Sequence, residues 1–157
     1  MDDVAAARAL HVLGVVLWIG GVGMVTTVLL PAVRRLEDRV DRIAFFGSVE
    51  KGFARQARAS TLLVGATGFY MTWSADLWDR FGDPAHWWMP AMVAVWSIFT
   101  IMLFLLEPLF LHRWLIARGR SRPESTFRII IGLHWFLLTI SVITIAGAVA
   151  GSHGAAF

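Results

Sequence analysis

The chain has 157 residues, 57 % of them hydrophobic and 16 % charged, with a net charge of +3 at pH 7 and a mean hydropathy of +0.66. At ~100–200 residues per domain this is one domain, and because soluble domains carry ~25 % charged residues, these values exclude an ordinary soluble enzyme. The absence of Cys excludes disulfide frameworks, Cys-ligated zinc, thiolate-bound iron–sulfur clusters and c-type haem attachment, so any metal must be held by His, Met, Asp or Glu.

Taken in chain order, four stretches are long enough to cross a hydrocarbon core that needs ~20 apolar residues: 9–31, 58–77, 88–112 and 127–150. The first follows Arg8 and ends at Pro31; with Asp2 and Asp3 in place of a basic leader, it is expected to remain as an anchor. The fourth begins after Pro123, where Ser125 or Thr126 can cap it, and ends among Gly147, Gly151 and Gly154. The expected fold is an all-α integral membrane protein, a single-domain antiparallel bundle of four transmembrane helices. Loops 32–57 and 113–126 connect it on one side, and in the first of these Leu36, Val40, Ile43 and Gly47 recur at helical spacing, as in an extension of the first helix or a segment on the membrane surface.

The basic residues set the orientation and account for a pI near 10.5 without nucleic acid. Arg34, Arg35, Arg39, Arg42, Lys51, Arg55 and Arg58 lie in or beside the first loop, and Arg113, Arg118, Arg120, Arg122 and Arg128 in or beside the second; only Arg8 and Arg80 lie on the other side. By the positive-inside rule the two basic loops face the cytoplasm, and both termini and the 78–87 loop face outward. The expected location is the cytoplasmic (inner) membrane, with the lipid bilayer as first partner. Trp73, Trp78, Trp87 and Trp88 flank the outer loop as an interfacial belt.

Within the helices, His11, Gly14, Trp18, Gly21 and Val25 share one face, which gives either a helix-packing surface or a groove for a flat cofactor beside an imidazole and an indole. Arg58, Thr61, Gly65, Gly68 and Thr72 form a polar, small-residue stripe on the second helix. The third carries Glu107, then Pro108, which frees the carbonyl of Phe104, and then His112. Glu107 is either a functional carboxylate or the buried partner of a loop arginine. His134 on the fourth helix lies near the depth of Glu107, so the two can pair.

Depth also sorts the histidines. His11, His86 and His153 belong to the outer leaflet, His112 and His134 to the cytoplasmic half. A bis-His haem is therefore open to His112 with His134, or to His11 with His153 or His86, but not to His11 with His134. No helix has two His some 13–14 residues apart, as stacked haems would need. The rival is an outer copper site from His11, His86, Met89 and His153, since Cu(I) prefers soft ligands. His86 and Met89 share a turn if the helix begins near Pro84.

The string His11-Val12-Leu13-Gly14-Val15-Val16-Leu17-Trp18-Ile19-Gly20-Gly21 resembles the opening of CopD-like (copper resistance protein D) membrane domains, and the Thr67-Gly68 and His134-Trp135 steps agree with it. A weaker similarity is to the HemJ-type four-helix membrane proteins. The first resemblance implies copper handling at the cytoplasmic membrane with His11 carried over; the second implies porphyrin chemistry at His11. The only lysine, Lys51, is in a loop, so the chain departs from a HemJ-type porphyrinogen oxidase.

Together these readings lead to a membrane protein with a redox-active metal centre, first b-type haem for electron transfer with quinone or a partner protein. His11 and His134 would be ligands of separate centres, His112 and His153 their partners, Trp18 a packing wall and Glu107 a proton relay. Two alternatives stand: copper binding or transport at the His11, His86, Met89 and His153 set, which would call for a homodimer, and a cofactor-free scaffold or assembly subunit.

Overall fold

The computed structural model describes residues 3–36, 39–111, 114, 117–118 and 121–154. The described residues form four long helices and no strand. Helix α1 runs Asp3–Arg34 with a π segment at Val25–Leu29. Helix α2 is Arg39–Ser74. Helix α3 is Trp88–Ile101, continued by a π segment at Met102–Leu111. Helix α4 is Pro123–Ser152. Both π segments adjoin or contain a proline, Pro31 and Pro108. A proline in a helix lacks the N–H and pushes its ring against the preceding turn, and the wider π turn makes room for the ring.

Residues 39–57, read from the sequence as a loop, are the first half of α2 and continuous with the apolar half. Packing explains the difference. Phe46 from this half is buried in a cluster with Val25, Leu30 and Val33 of α1 and Phe127 and Ile130 of α4, with Phe53 packed against it. The connection to α1 shrinks to the few residues after Arg34. Helix α4 likewise starts earlier than expected: Pro123 occupies its first turn, and the Thr126 hydroxyl donates to the Arg122 carbonyl rather than capping the end.

The contacts close an antiparallel ring. His11 faces Val64 and Thr67, Gln56 reaches the Leu17 carbonyl, and Gly21 abuts Phe53, so α1 and α2 run in opposite directions. Arg58 meets Leu103 and Glu107 while Trp96 meets Thr61, which sets α3 against α2. Gly147 abuts Trp87 and Gly151 abuts Trp88, and Leu137 joins Trp18 and Phe99 in the central core, which sets α4 against α3.

Helices Asp3–Arg34, Trp88–Leu109 and Pro123–Ser152 are long and apolar enough to cross a membrane, and only 17–33 % of their most apolar stretches is buried inside the chain. Val12, Leu13, Val16 and Leu17 face outward while Thr26, Ser60, Thr67, Ser141 and Thr144 are buried. That distribution suits lipid rather than water as the solvent. Each of these five hydroxyls donates to the carbonyl four residues earlier, on its own helix, so polar burial costs little.

Candidate functional site: two chambers divided by Trp18

Two spaces in the bundle interior are lined by described residues. The larger, about 440 Å³, opens toward the end where α1 begins and is walled by all four helices, with His11, Gly68, Trp96 and Thr144 among its lining residues. Its size lies within the ~300–1,000 Å³ typical of cofactor pockets. The smaller, about 90 Å³, lies toward the other end and is lined by Glu50, Glu107, Trp114 and His134. Trp18 borders both, 3 % exposed and edge-on to Phe99 at 4.8 Å between ring centroids. Its indole N–H is buried without a hydrogen-bond partner among the described residues, a donor held at the partition between the two spaces.

His11 is held in one tautomer. Its Nδ1 lies 3.1 Å from the Val64 carbonyl and 3.0 Å from Thr67 Oγ1. Thr67 already donates its own proton to the Leu63 carbonyl at 2.6 Å, so both neighbours of Nδ1 are acceptors and Nδ1 carries the hydrogen. The lone pair is thereby assigned to Nε2, on a residue that lines the large cavity. This is how protein carbonyls orient imidazoles that serve as metal ligands. Gly68 makes room for the ring, because a Cβ there would stand 3.2 Å from His11 Cε1.

The glycines on the α1 face have a different use. A Cβ on Gly14 would meet Val64 at 2.8 Å and one on Gly21 would meet Phe53 at 2.1 Å, so these positions let α2 approach and provide no thin wall for a cofactor. The glycines that border the cavity are Gly65 and Gly68 on α2.

The structure brings Met89 into the cavity with His11, and adds Met71 and Met92. His86 and His153 do not line it. His86 Nδ1 lies 2.8 Å from Asp83 Oδ2 in the connection between α2 and α3, where the Ala85 N–H and that imidazole hold the Asp83 carboxyl below its ordinary range. His153 accompanies the end of α4, its Nδ1 2.8 Å from the Val149 carbonyl. His112 lies outside the described residues. Among the described residues no group of three or more His, Asp or Glu is gathered closely enough to hold a metal ion.

In the small chamber Glu107 is paired with Arg58 of α2, a helix arginine rather than a loop one, and that guanidinium also donates through Nε to the Leu103 carbonyl at 3.1 Å. The π register explains the second bond. In a π turn the N–H of residue i serves the carbonyl of residue i−5, so the group that Pro108 leaves without a donor is Leu103, not Phe104 as α geometry predicts. His134 lines the same chamber but its Nδ1 donates to the Ile130 carbonyl at 2.8 Å, and among the described residues it makes no hydrogen bond to Glu107.

Glu50 was not among the sequence candidates. It lies on α2 below the apolar stretch, and burial together with the charge of Glu107 pushes its carboxyl up to about 7. The signal was present: Glu50, Ala54, Arg58, Thr61 and Gly65 continue at helical spacing the stripe read from Arg58 onward.

No known protein family, curated protein or solved structure matches the chain.

Proposed function

We propose that this chain is a four-span protein of the cytoplasmic membrane, basic connections inside and both termini outside, that holds one b-type haem in the His11 cavity for electron transfer with quinone or a partner protein. The observation that carries the reading is the His11 imidazole, tautomerically set by Val64 and Thr67 in the wall of an apolar 440 Å³ cavity. The likeness of the His11–Gly21 string to CopD-like domains agrees with it.

The donor set suits the group: one imidazole with Nε2 available, thioethers on other helices, aromatic walls at Trp88 and Trp96 and no acidic side chain in the lining. When bound, haem supplies the one-electron chemistry. The protein's share would be to hold the ligand tautomer, exclude water with Trp18 and Phe99, and offer a thioether of Met71, Met89 or Met92 as a second ligand. The proposal gathers on one centre because the His134 chamber, about 90 Å³, falls well below the ~300–1,000 Å³ typical of cofactor pockets. There Glu107, with Glu50 and His134, is placed to exchange protons from the cytoplasmic side.

The test is a reduced-minus-oxidised spectrum of the detergent-purified protein with pyridine haemochrome quantitation, for wild type, His11→Ala and His134→Ala. A b-type α-band lost in His11→Ala and retained in His134→Ala is expected. A featureless wild-type spectrum from cells supplied with haem refutes the reading.

One observation favours a second reading: three Met and one His in a single cavity form a soft donor set for Cu(I). In that reading a homodimer binds or carries copper, with His11 and Met89 as ligands and His86 and His153 outside the site. Copper content of the same sample decides, and a protein with neither haem nor copper is left as a scaffold or assembly subunit.

A further inference from the structure

The orientation read from charge leaves two cations on the outer side of the entire chain, Arg8 and Arg80. The fold brings both to the lining of one cavity. Arg8 on α1 and Arg80 in the 3₁₀ turn Trp78–Gly82 line the His11 cavity, although 72 residues separate them in sequence. Neither guanidinium forms an ion pair or a hydrogen bond with any described residue, and among the described residues no Asp or Glu lines the cavity. The nearest carboxylate in sequence to carry a partner, Asp83, is taken by His86 and the Ala85 N–H.

Arg8 precedes His11 by three residues, so it stands ~4.5 Å further along α1 on nearly the same face. The cavity is thus graded: an apolar, aromatic floor at Trp18 and Trp96, an imidazole at mid-depth, and two unpaired planar cations at the exposed rim. A guanidinium fork suits a carboxylate, which it binds with two parallel hydrogen bonds.

Resting on the haem reading, we infer that Arg8 and Arg80 form a carboxylate clamp at the mouth of the cavity. The occupant is then a flat apolar ring whose acidic side chains point to the outer surface, and it enters from that side. The two arginines select the free-acid form of the ring, while His11 governs the metal.

The experiment titrates the full-length apoprotein in detergent with haem and, separately, with haem dimethyl ester, which has the same ring and iron but blocked carboxylates. Affinity is read from quenching of Trp fluorescence and the Soret band. Wild type is expected to bind haem at least about tenfold more tightly than the ester, a step of ~1.4 kcal/mol. Arg8→Gln/Arg80→Gln is expected to lose that preference and keep the His11-dependent spectrum, and Arg8→Lys/Arg80→Lys to recover part of it. Equal binding of both ligands by wild type overturns the clamp alone and makes the arginines interfacial anchors. Binding of neither overturns the haem reading, and the clamp with it. If the double Gln variant does not fold, the wild-type comparison with the ester still decides.

Discussion

Replacing Arg58 with Leu tests whether the small chamber is held by an ion pair or merely borders one. Two bonds are lost, one to the Glu107 carboxylate and one to the Leu103 carbonyl that Pro108 leaves without a helical donor. Stranding a fully buried charge costs ~3–5 kcal/mol. Here the side chains are 32 % and 23 % exposed, so water relieves part of that cost. About 2 kcal/mol for the carboxylate and about 1 kcal/mol for the carbonyl give a destabilisation of roughly 3 kcal/mol. Arg58→Leu/Glu107→Leu removes the stranded charge and should recover about 2 kcal/mol of it, a coupling measurable in a double-mutant cycle. The assay is equilibrium unfolding in mixed detergent micelles followed by circular dichroism, run on the four proteins of the cycle. If Arg58→Leu costs less than about 0.5 kcal/mol and the two substitutions simply add, the pair behaves as a solvated surface contact and the reasoning fails.

Glu50 makes stability pH-dependent. Its folded carboxyl titrates near 7 against an ordinary 4.5, so both states are protonated below pH 4.5, and as pH rises through 7 the folded state loses stability relative to the unfolded one. The full penalty above pH 7 is about 3 kcal/mol at ~1.4 kcal/mol per pH unit. Glu50→Gln should therefore match wild type at pH 4 and exceed it at pH 8, and parallel stability profiles would disprove the assignment. Gly68→Val should crowd His11 Cε1 and lower haem occupancy in the pyridine haemochrome assay, whereas Gly20→Ala, with nothing within 4 Å, should leave it unchanged; equal effects would place the imidazole elsewhere. Because the chain has no Cys, single cysteines report topology cleanly. Asp79→Cys is expected to react with a membrane-impermeant maleimide on intact spheroplasts and Lys51→Cys only after lysis; the reverse pattern would invert the bundle.

The helices themselves were readable because lipid imposes a simple rule: a segment that crosses it must be long, apolar and internally hydrogen-bonded. That rule located α1, α3 and α4, although α1 begins six residues and α4 four residues earlier than the apolar stretches. It failed at the lower half of α2, where charged residues concealed a helix whose buried face, Phe46, Ala54 and Ala57, is short and interrupted. The π register around Pro108 was also hidden, since α geometry assigned the orphan carbonyl to Phe104 and only the fold shows Arg58 at Leu103.

Composition and charge order by themselves pointed to helices long and apolar enough to cross a membrane and to the charge asymmetry of the two ends, because both follow from residue type and distance along the chain. They also singled out His11 and Glu107, as ionisable groups in apolar segments stand out without any partner. Which groups meet was decided by the tertiary structure alone. Glycines on one helix face can serve packing or a ligand equally, and only the neighbour, Val64 or Phe53, tells which. The same holds for Arg8 and Arg80 in one cavity lining, the pairing of Glu107 with Arg58 and the wall of Trp18 and Phe99. Each joins residues on different helices, and their meeting depends on helix rotation and register, which no one-dimensional spacing specifies.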